Sequence, residues 1–306
     1  FDSWTLSEMY DQVKAPLRGN LFVDDKKKKK KRKQKDQAQL LEDWSDSSRV
    51  DLDPVEDGPL RIWEPPLKFG QYLIGADVAQ GLTGGDYSCA SVLKLSRVGL
   101  DLHFTQVAQY HGHINSIAYG EELMKLGLWY NEAPVVVERR GPGDATIQRL
   151  KMLNCWFLFR DASDPAQTTA TMDALFGLDT NVKTKGILIS MLQNTIKDKR
   201  PLNRSIVIHC YNTLEEFGHF GQEKTESGLS YRFRGEGGMH DDRVMAIALA
   251  VYAARIYPDI YDIDLEVKAR QAKKSVQLSD DDQEFWDEFR KQERHTKNLT
   301  EDPLYE

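Results

Sequence analysis

Residues 133–140, APVVVERR, are the most restrictive stretch of the chain. A continuous β-branched run without polar alternation does not suit a sheet that leaves one face in water. It predicts a buried strand of parallel type, and that strand ends in Glu138. Upstream, three segments carry strand patterns: GQYLIGADVA (70–79), DYSCASVLKLS (86–96) and LDLHFTQVAQYHG (100–112). Their joints are short and contain Gly, which predicts an antiparallel meander. Helical periodicity marks 114–130, 143–153, 184–198 and 240–257, with a short strand, RSIVIHC, at 204–210. The expected fold is α/β, a mixed sheet of a three-strand antiparallel meander plus parallel strands, flanked by helices on both faces.

This core is expected over 59–257. The flanks differ from it in composition. Residues 26–35 read KKKKKKRKQK, and the stretch after them is strongly acidic. Adjacent like charges repel and bury nothing, so the Lys run within 1–58 reads as a solvated, disordered linker. A phosphate-binding arm and a nuclear localisation signal are the other readings of the Lys run. Residues 258–306 read as an acidic tail, in which 275–295 could form an amphipathic helix. With a net charge of −7, the chain is not uniformly basic, and nucleic-acid binding would have to use local patches. No run of eighteen apolar residues occurs, which excludes a membrane-spanning helix. Cys89, Cys155 and Cys210 form no CxxC pair, so a zinc site or disulfide framework is not expected, and a reducing, intracellular setting fits. The chain begins at Phe1, which suggests a fragment or processed product.

Carboxylates stand at the ends of the buried elements. Asp77 closes the first strand, Glu138 closes VVVE, and Asp241 and Asp242 open the last helix. An unpaired buried charge costs several kcal/mol, and hard oxygen ligands from separate elements suit Mg²⁺ or Mn²⁺. Each residue also has a plain structural explanation. Asp241 or Asp242 could be an N-cap or first-turn acid, Glu138 could pair with Arg139 or Arg140, and Asp77 could cap a bend. Taken together, Asp, then Glu, then Asp-Asp in this order is the layout of RNase H-like nucleases.

Four ordered segments extend the likeness: ADVAQGLTGGDYSCASVL (76–93), VVVERRGPGDATIQRL (135–150), FGLDTNVKTKGILISML (176–192) and GMHDDRVMAIALA (238–250). Over roughly 59–256 the chain resembles the nuclease domain of the large terminase subunit, the DNA-packaging protein of tailed bacteriophages and related viruses. The resemblance implies an RNase H-like fold and a metal-dependent endonuclease that cuts concatemeric viral DNA during genome packaging. It maps the catalytic metal ligands onto Asp77, Glu138 and Asp241, with Asp242 as the alternative or additional ligand, around two Mg²⁺ or Mn²⁺ ions. Asp86 and His240 are candidates for an outer shell. Two features depart from the family: Arg139 and Arg140 follow the Glu where Arg-Asn is frequent, and the family's amino-terminal ATPase is absent, for no GxxxxGK[ST] occurs. By the resemblance, residues 1–58 would be a partly disordered linker and the end of the motor region.

Double-stranded DNA is the expected substrate. Lys183 and Lys185 at a helix entry, and Lys224, Arg232 and Arg234 in a hairpin over 223–238, are the candidate phosphate contacts. By resemblance, the portal protein, the small terminase subunit and an ATPase domain outside this chain would be partners, with no membrane. The place of action would be the host-cell cytoplasm, transiently at the portal vertex of the procapsid. The competing readings are another RNase H-like nuclease of resolvase or integrase type, and a non-catalytic DNA-binding or motor-assembly module.

Overall fold

The computed structural model describes residues 1, 3–23, 50–81, 85–98, 101–161, 176–200, 204–224, 231–235 and 240–257. Phe1–Asp262 form one unit, and the second, Ile263–Glu306, lies outside the described residues. The main sheet contains β1 (Leu17–Val23), β2 (Val50–Pro54), β3 (Leu60–Ile62), β4 (Gln71–Asp77), β5 (Ser88–Val98), β6 (Asp101–Gly112), β7 (Val135–Val137) and β8 (Ile206–Val207). Its order is β2-β1-β3-β6-β5-β4-β7, with β8 parallel to β6. The meander β4-β5-β6 is antiparallel, and β7 lies parallel to β4. A three-strand meander whose first strand takes a parallel neighbour on its far side is the RNase H-like arrangement that the sequence predicts.

The helices are α1 (Ser3–Met9), α2 (Ser116–Trp129), α3 (Gly143–Met152), α4 (Val182–Lys197), α5 (Tyr211–His219) and α6 (Asp242–Ile256). Alternation divides the strand residues between two faces. Leu73, Leu93, Phe104 and Val136 point into a core shared with α4, α5 and α6. Tyr72 points the other way, where its ring meets Tyr130 beyond α2 at 4.9 Å, and Tyr110 meets Tyr119 of α2 at 5.7 Å. Among the described residues no helix is long and apolar enough to cross a membrane. All three cysteines are free and buried.

The amino-terminal segment departs from the linker reading. Strand β1 pairs with both β2 and β3, so 17–23 and 50–54 extend the nuclease sheet. Leu6 and Met9 of α1 are buried in the α4–α6 core, and the Phe1 ring packs on Phe217 of α5 at 4.8 Å. The apolar residues either side of the Lys run supply enough burial to order these pieces. Composition averaged over 1–58 hides that pattern. The Lys run itself lies outside the described residues, between Val23 and Val50, which are register partners. The tail from 258 onward is likewise outside them.

Helix α5 has no counterpart in the sequence reading. The expected strand over 204–210 shrinks to Ile206–Val207, because only these residues reach the edge of β6. The hairpin near 223–238 is present as the ribbon β9 (Phe220–Lys224) and β10 (Tyr231–Gly235).

Candidate metal centre

Asp77 ends β4 on the face that α6 covers. It lies there because Gly75, two residues earlier on the same face, lets α6 approach the strand. A Cβ at Gly75 would sit 1.9 Å from the Ala246 carbonyl oxygen and 2.8 Å from the Ala250 nitrogen. Helix α6 therefore starts beside the end of β4, bringing Asp241 and Asp242 with it. Glu138 follows β7 directly, and its backbone N–H donates to the Ala76 carbonyl at 2.9 Å. Parallel register thus puts Glu138 beside Asp77, on the same face as Val136.

The four carboxylates act on one another. The Asp77 carboxyl lies deep among protein atoms, although the residue keeps some exposure. Its pKa is pushed well above the usual carboxylate range, first by burial and then by a hydrogen bond with Glu138 and the charges of Glu138, Asp242 and Asp241. Asp242 is buried, and its pKa is raised to about 7 by burial and by Glu216, against the opposing pull of the Tyr87 N–H and His240. That N–H donates to Asp242 Oδ2 at 3.2 Å. Asp241 is more exposed and pairs with Lys185 Nζ at 2.9 Å. The Thr180 hydroxyl donates to Glu138. Glu138 and Asp241/Asp242 come from elements more than a hundred residues apart in sequence, so only tertiary folding assembles the group.

Asp86 and His240 stand beside Asp242. One ligand atom each from Asp86, His240 and Asp242 all lie within 4.8 Å of one another. His240 Nδ1 is 3.2 Å from Asp86 Oδ1 and 3.9 Å from Asp242 Oδ2. The Tyr87 ring lies between these groups and two further histidines, with centroids 3.8 Å from His113, 4.4 Å from His111 and 5.4 Å from His240. Burial, with Arg243, Arg61 and the neighbouring histidines, lowers the His111 pKa to about 2, so this ring is neutral.

The basic residues divide. Lys183 is exposed in the first turn of α4, whose Asn181–Thr184 capping box fixes its start. Lys185, one residue beyond Thr184, turns inward and pairs with Asp241 at the start of α6. Lys224, Arg232 and Arg234 belong to the β9–β10 ribbon, but their side chains lie outside the described residues. Arg140 is engaged by Asp179 at 2.6 Å. Sequence reasoning missed Thr180, Tyr87 and Glu216. For Glu216 a signal existed: a Glu on the apolar face of NTLEEF.

The donor set fits a hard divalent cation. Carboxylate oxygens of Asp86 and Asp242 lie with a His240 ring nitrogen within 4.8 Å of one another, and Asp77 with Glu138 faces the charges of Asp241 and Asp242. Lys185 Nζ reaches the carboxylates through Asp241 at 2.9 Å, and His240 Nδ1 lies 3.9 Å from Asp242 Oδ2.

Strand order and carboxylate placement together define the class: an RNase H-like fold with carboxylates gathered at the carboxyl end of β4, the first strand of the meander. No family model matches the chain and no curated protein matches it. Among solved structures, it is similar to the large terminase nuclease from thermophilic phage G20c with bound magnesium, at 25% identity and a TM-score of 0.48, over 65% of this chain and 89% of that one. It is also similar to the Thermus phage P74-26 large terminase nuclease domain, at 22% identity and a TM-score of 0.42, over 65% and 87% of the two chains. A third is the large terminase nuclease domain of bacteriophage SPP1 with bound Mn, at 11% identity and a TM-score of 0.37, over 61% and 88%.

Proposed function

We propose that this chain is a metal-dependent endodeoxyribonuclease of the large-terminase type, hydrolysing phosphodiester bonds of double-stranded DNA. The observation that carries the reading is the Asp77 carboxyl, hydrogen-bonded to Glu138 and lying in the field of Asp241 and Asp242. Such a group is costly to bury unless a ligand repays it.

Asp77, Glu138, Asp241 and Asp242 would hold one or two Mg²⁺ or Mn²⁺ ions, with Asp86 and His240 within reach at the rim. Bound there, such ions supply Lewis-acid stabilisation of phosphate charge and a water acidified towards neutral pH. The chain's own residues set the stage. The Thr180 hydroxyl orients Glu138, and the Tyr87 N–H orients Asp242. Asp77, whose pKa is raised, would give up its proton to a cation held there. Lys185, once Asp241 is otherwise engaged, is free to turn towards a phosphate oxygen, while exposed Lys183 contributes a sequence-independent phosphate contact.

In this reading the substrate is concatemeric viral DNA during genome packaging. An ATPase domain outside this chain, the portal protein and the small terminase subunit are the partners. The work is done in the host-cell cytoplasm, at the portal vertex of the procapsid. The deciding experiment incubates the purified chain with supercoiled plasmid and Mg²⁺ or Mn²⁺. Nicking and linearisation without ATP, abolished by EDTA, are expected. Intact plasmid under every metal tested would overturn the reading.

A further inference from the structure

Helix α6 begins unusually. Asp241 is its N-cap residue, and Asp is among the best N-cap side chains, yet the Asp241 carboxylate accepts no capping hydrogen bond. It faces Lys185 instead. The helix still has free N–H groups at its first turn to satisfy. They are met from another element. Glu216 of α5 accepts from the Arg243 N–H at 2.9 Å through Oε2, and the Val244 N–H is also directed to it. The same carboxylate pairs with the Arg243 guanidinium through Oε1. Both side chains are buried.

Glu216 is itself held in place. Thr213, one turn earlier in α5, accepts from Gln109 Nε2 of β6 at 3.0 Å. Arg243 Nε donates to Oε1 of the same glutamine at 3.3 Å. Strand β6, helix α5 and the first turn of α6 are thus locked in one buried polar network, and such networks fix geometry when their members are satisfied.

We infer that Glu216 is a positioning residue of the candidate metal centre: it caps α6 from outside and so releases the Asp241 carboxylate from capping to ligation. This rests on the metal-nuclease reading above for its functional meaning, but the capping relationship can be tested without metal. Removing the acceptor at Glu216 leaves the α6 N–H groups short of a partner, and Asp241 is the nearest side chain able to take over. Taking over withdraws it from the centre.

Arg243 must not be stranded in the test, because breaking one side of a buried pair is costly in itself. Two double variants are therefore compared, Glu216→Leu/Arg243→Met and Glu216→Gln/Arg243→Met. They match in charge and nearly in size, and differ in the acceptor. Mn²⁺ binding followed by EPR titration should be weaker by roughly tenfold or more in the Leu variant, as for other partners that orient metal ligands. The Gln variant should stay close to wild type. Equal affinities in the two would overturn the inference. In metal-free buffer, Asp241→Ala is then added to each background. It should lower the urea midpoint further in the Leu background than in the Gln background, because only there has Asp241 become the cap. Equal shifts would overturn the capping role whatever the metal result. A wild-type protein that binds no Mn²⁺ would instead defeat the metal reading and leave the urea comparison to decide. If Glu216→Leu does not fold, Glu216→Met offers an equally acceptor-free but more adaptable side chain.

Discussion

Asp77 and Glu138 hydrogen-bond to each other through their carboxyl groups, across the parallel pair β4–β7. Two carboxylates in contact cannot both ionise at low cost, so one holds a proton until a cation replaces it. Both the shared proton and the mutual repulsion would be relieved by a cation bound between these carboxylates.

This fixes a pH dependence for the metal-free protein. Asp77 and Asp242 have folded-state pKa values above their unfolded ones, Asp242 at about 7. The folded state therefore binds more protons than the unfolded state between about pH 4 and 7, and stability falls as pH rises through that window. Glu64 works oppositely: although burial pushes it up, its hydrogen bonds and ion pairs with His209 and Lys94 hold its pKa at about 2, so its stabilisation is lost only in stronger acid. Thermal melts should give a Tm at pH 8 lower than at pH 5 by about 3 °C or more, each kcal/mol being worth roughly 2–4 °C at this size. Saturating Mg²⁺ should flatten the difference. A Tm that rises from pH 5 to 8 without metal would contradict the assigned protonation.

Asp77→Asn should abolish plasmid cleavage while preserving the fold. Its melting temperature without metal at pH 8 should match or exceed wild type, since a repelling charge is removed. Cleavage at the wild-type rate would refute the role of Asp77.

Lys185 and Lys183 should separate. Lys185→Met removes the cation that competes for Asp241. In the absence of DNA it should tighten Mn²⁺ binding several-fold by EPR titration. Lys183→Gln should leave Mn²⁺ affinity unchanged and flatten the slope of log K against log salt for DNA by about one unit, one phosphate contact's worth. Unchanged values in both variants would return these lysines to ordinary surface.

The amino-terminal helix should be structural. Leu6→Ala empties a buried position in the α4–α6 core and should cost about 2–5 kcal/mol in urea denaturation. A loss within experimental error would restore the linker reading of this segment.

Gly75→Ala should push α6 off β4, for the added Cβ would meet helix backbone, the Ala246 carbonyl and the Ala250 nitrogen, which cannot move aside as a flexible side chain could. Destabilisation of about 1–3 kcal/mol is expected from overpacking, with a larger fractional loss of cleavage because Asp241 and Asp242 move with the helix. Unaltered activity would mean that the helix start does not set the centre.

The strand order around β4 was legible in the sequence because each strand carries its own evidence. Alternation marks the meander, and VVV marks the strand buried on both sides. Asp77, Glu138 and Asp241/Asp242 were legible as candidates for a related reason: charge at the end of an apolar run is locally anomalous. Helix α5 left only a short signal, the apolar face of NTLEEF, and the pairing of β1 with β3 was not legible, because it depends on neighbours distant in the chain and the Lys run dominates the composition of 1–58.

The sequence by itself determined which carboxylates stand at the ends of buried elements, since periodicity and hydrophobicity are local properties. Tertiary structure alone decided what those carboxylates do. Whether Asp241 caps α6 or faces the centre depends on Glu216, twenty-five residues earlier in the chain. Whether Lys185 meets solvent or Asp241 depends on where α4 lies against α6. Protonation of Asp77 and Asp242 depends on burial and on like charges brought together from four separate segments. Electrostatic energies follow distances in space, which the order of residues does not contain.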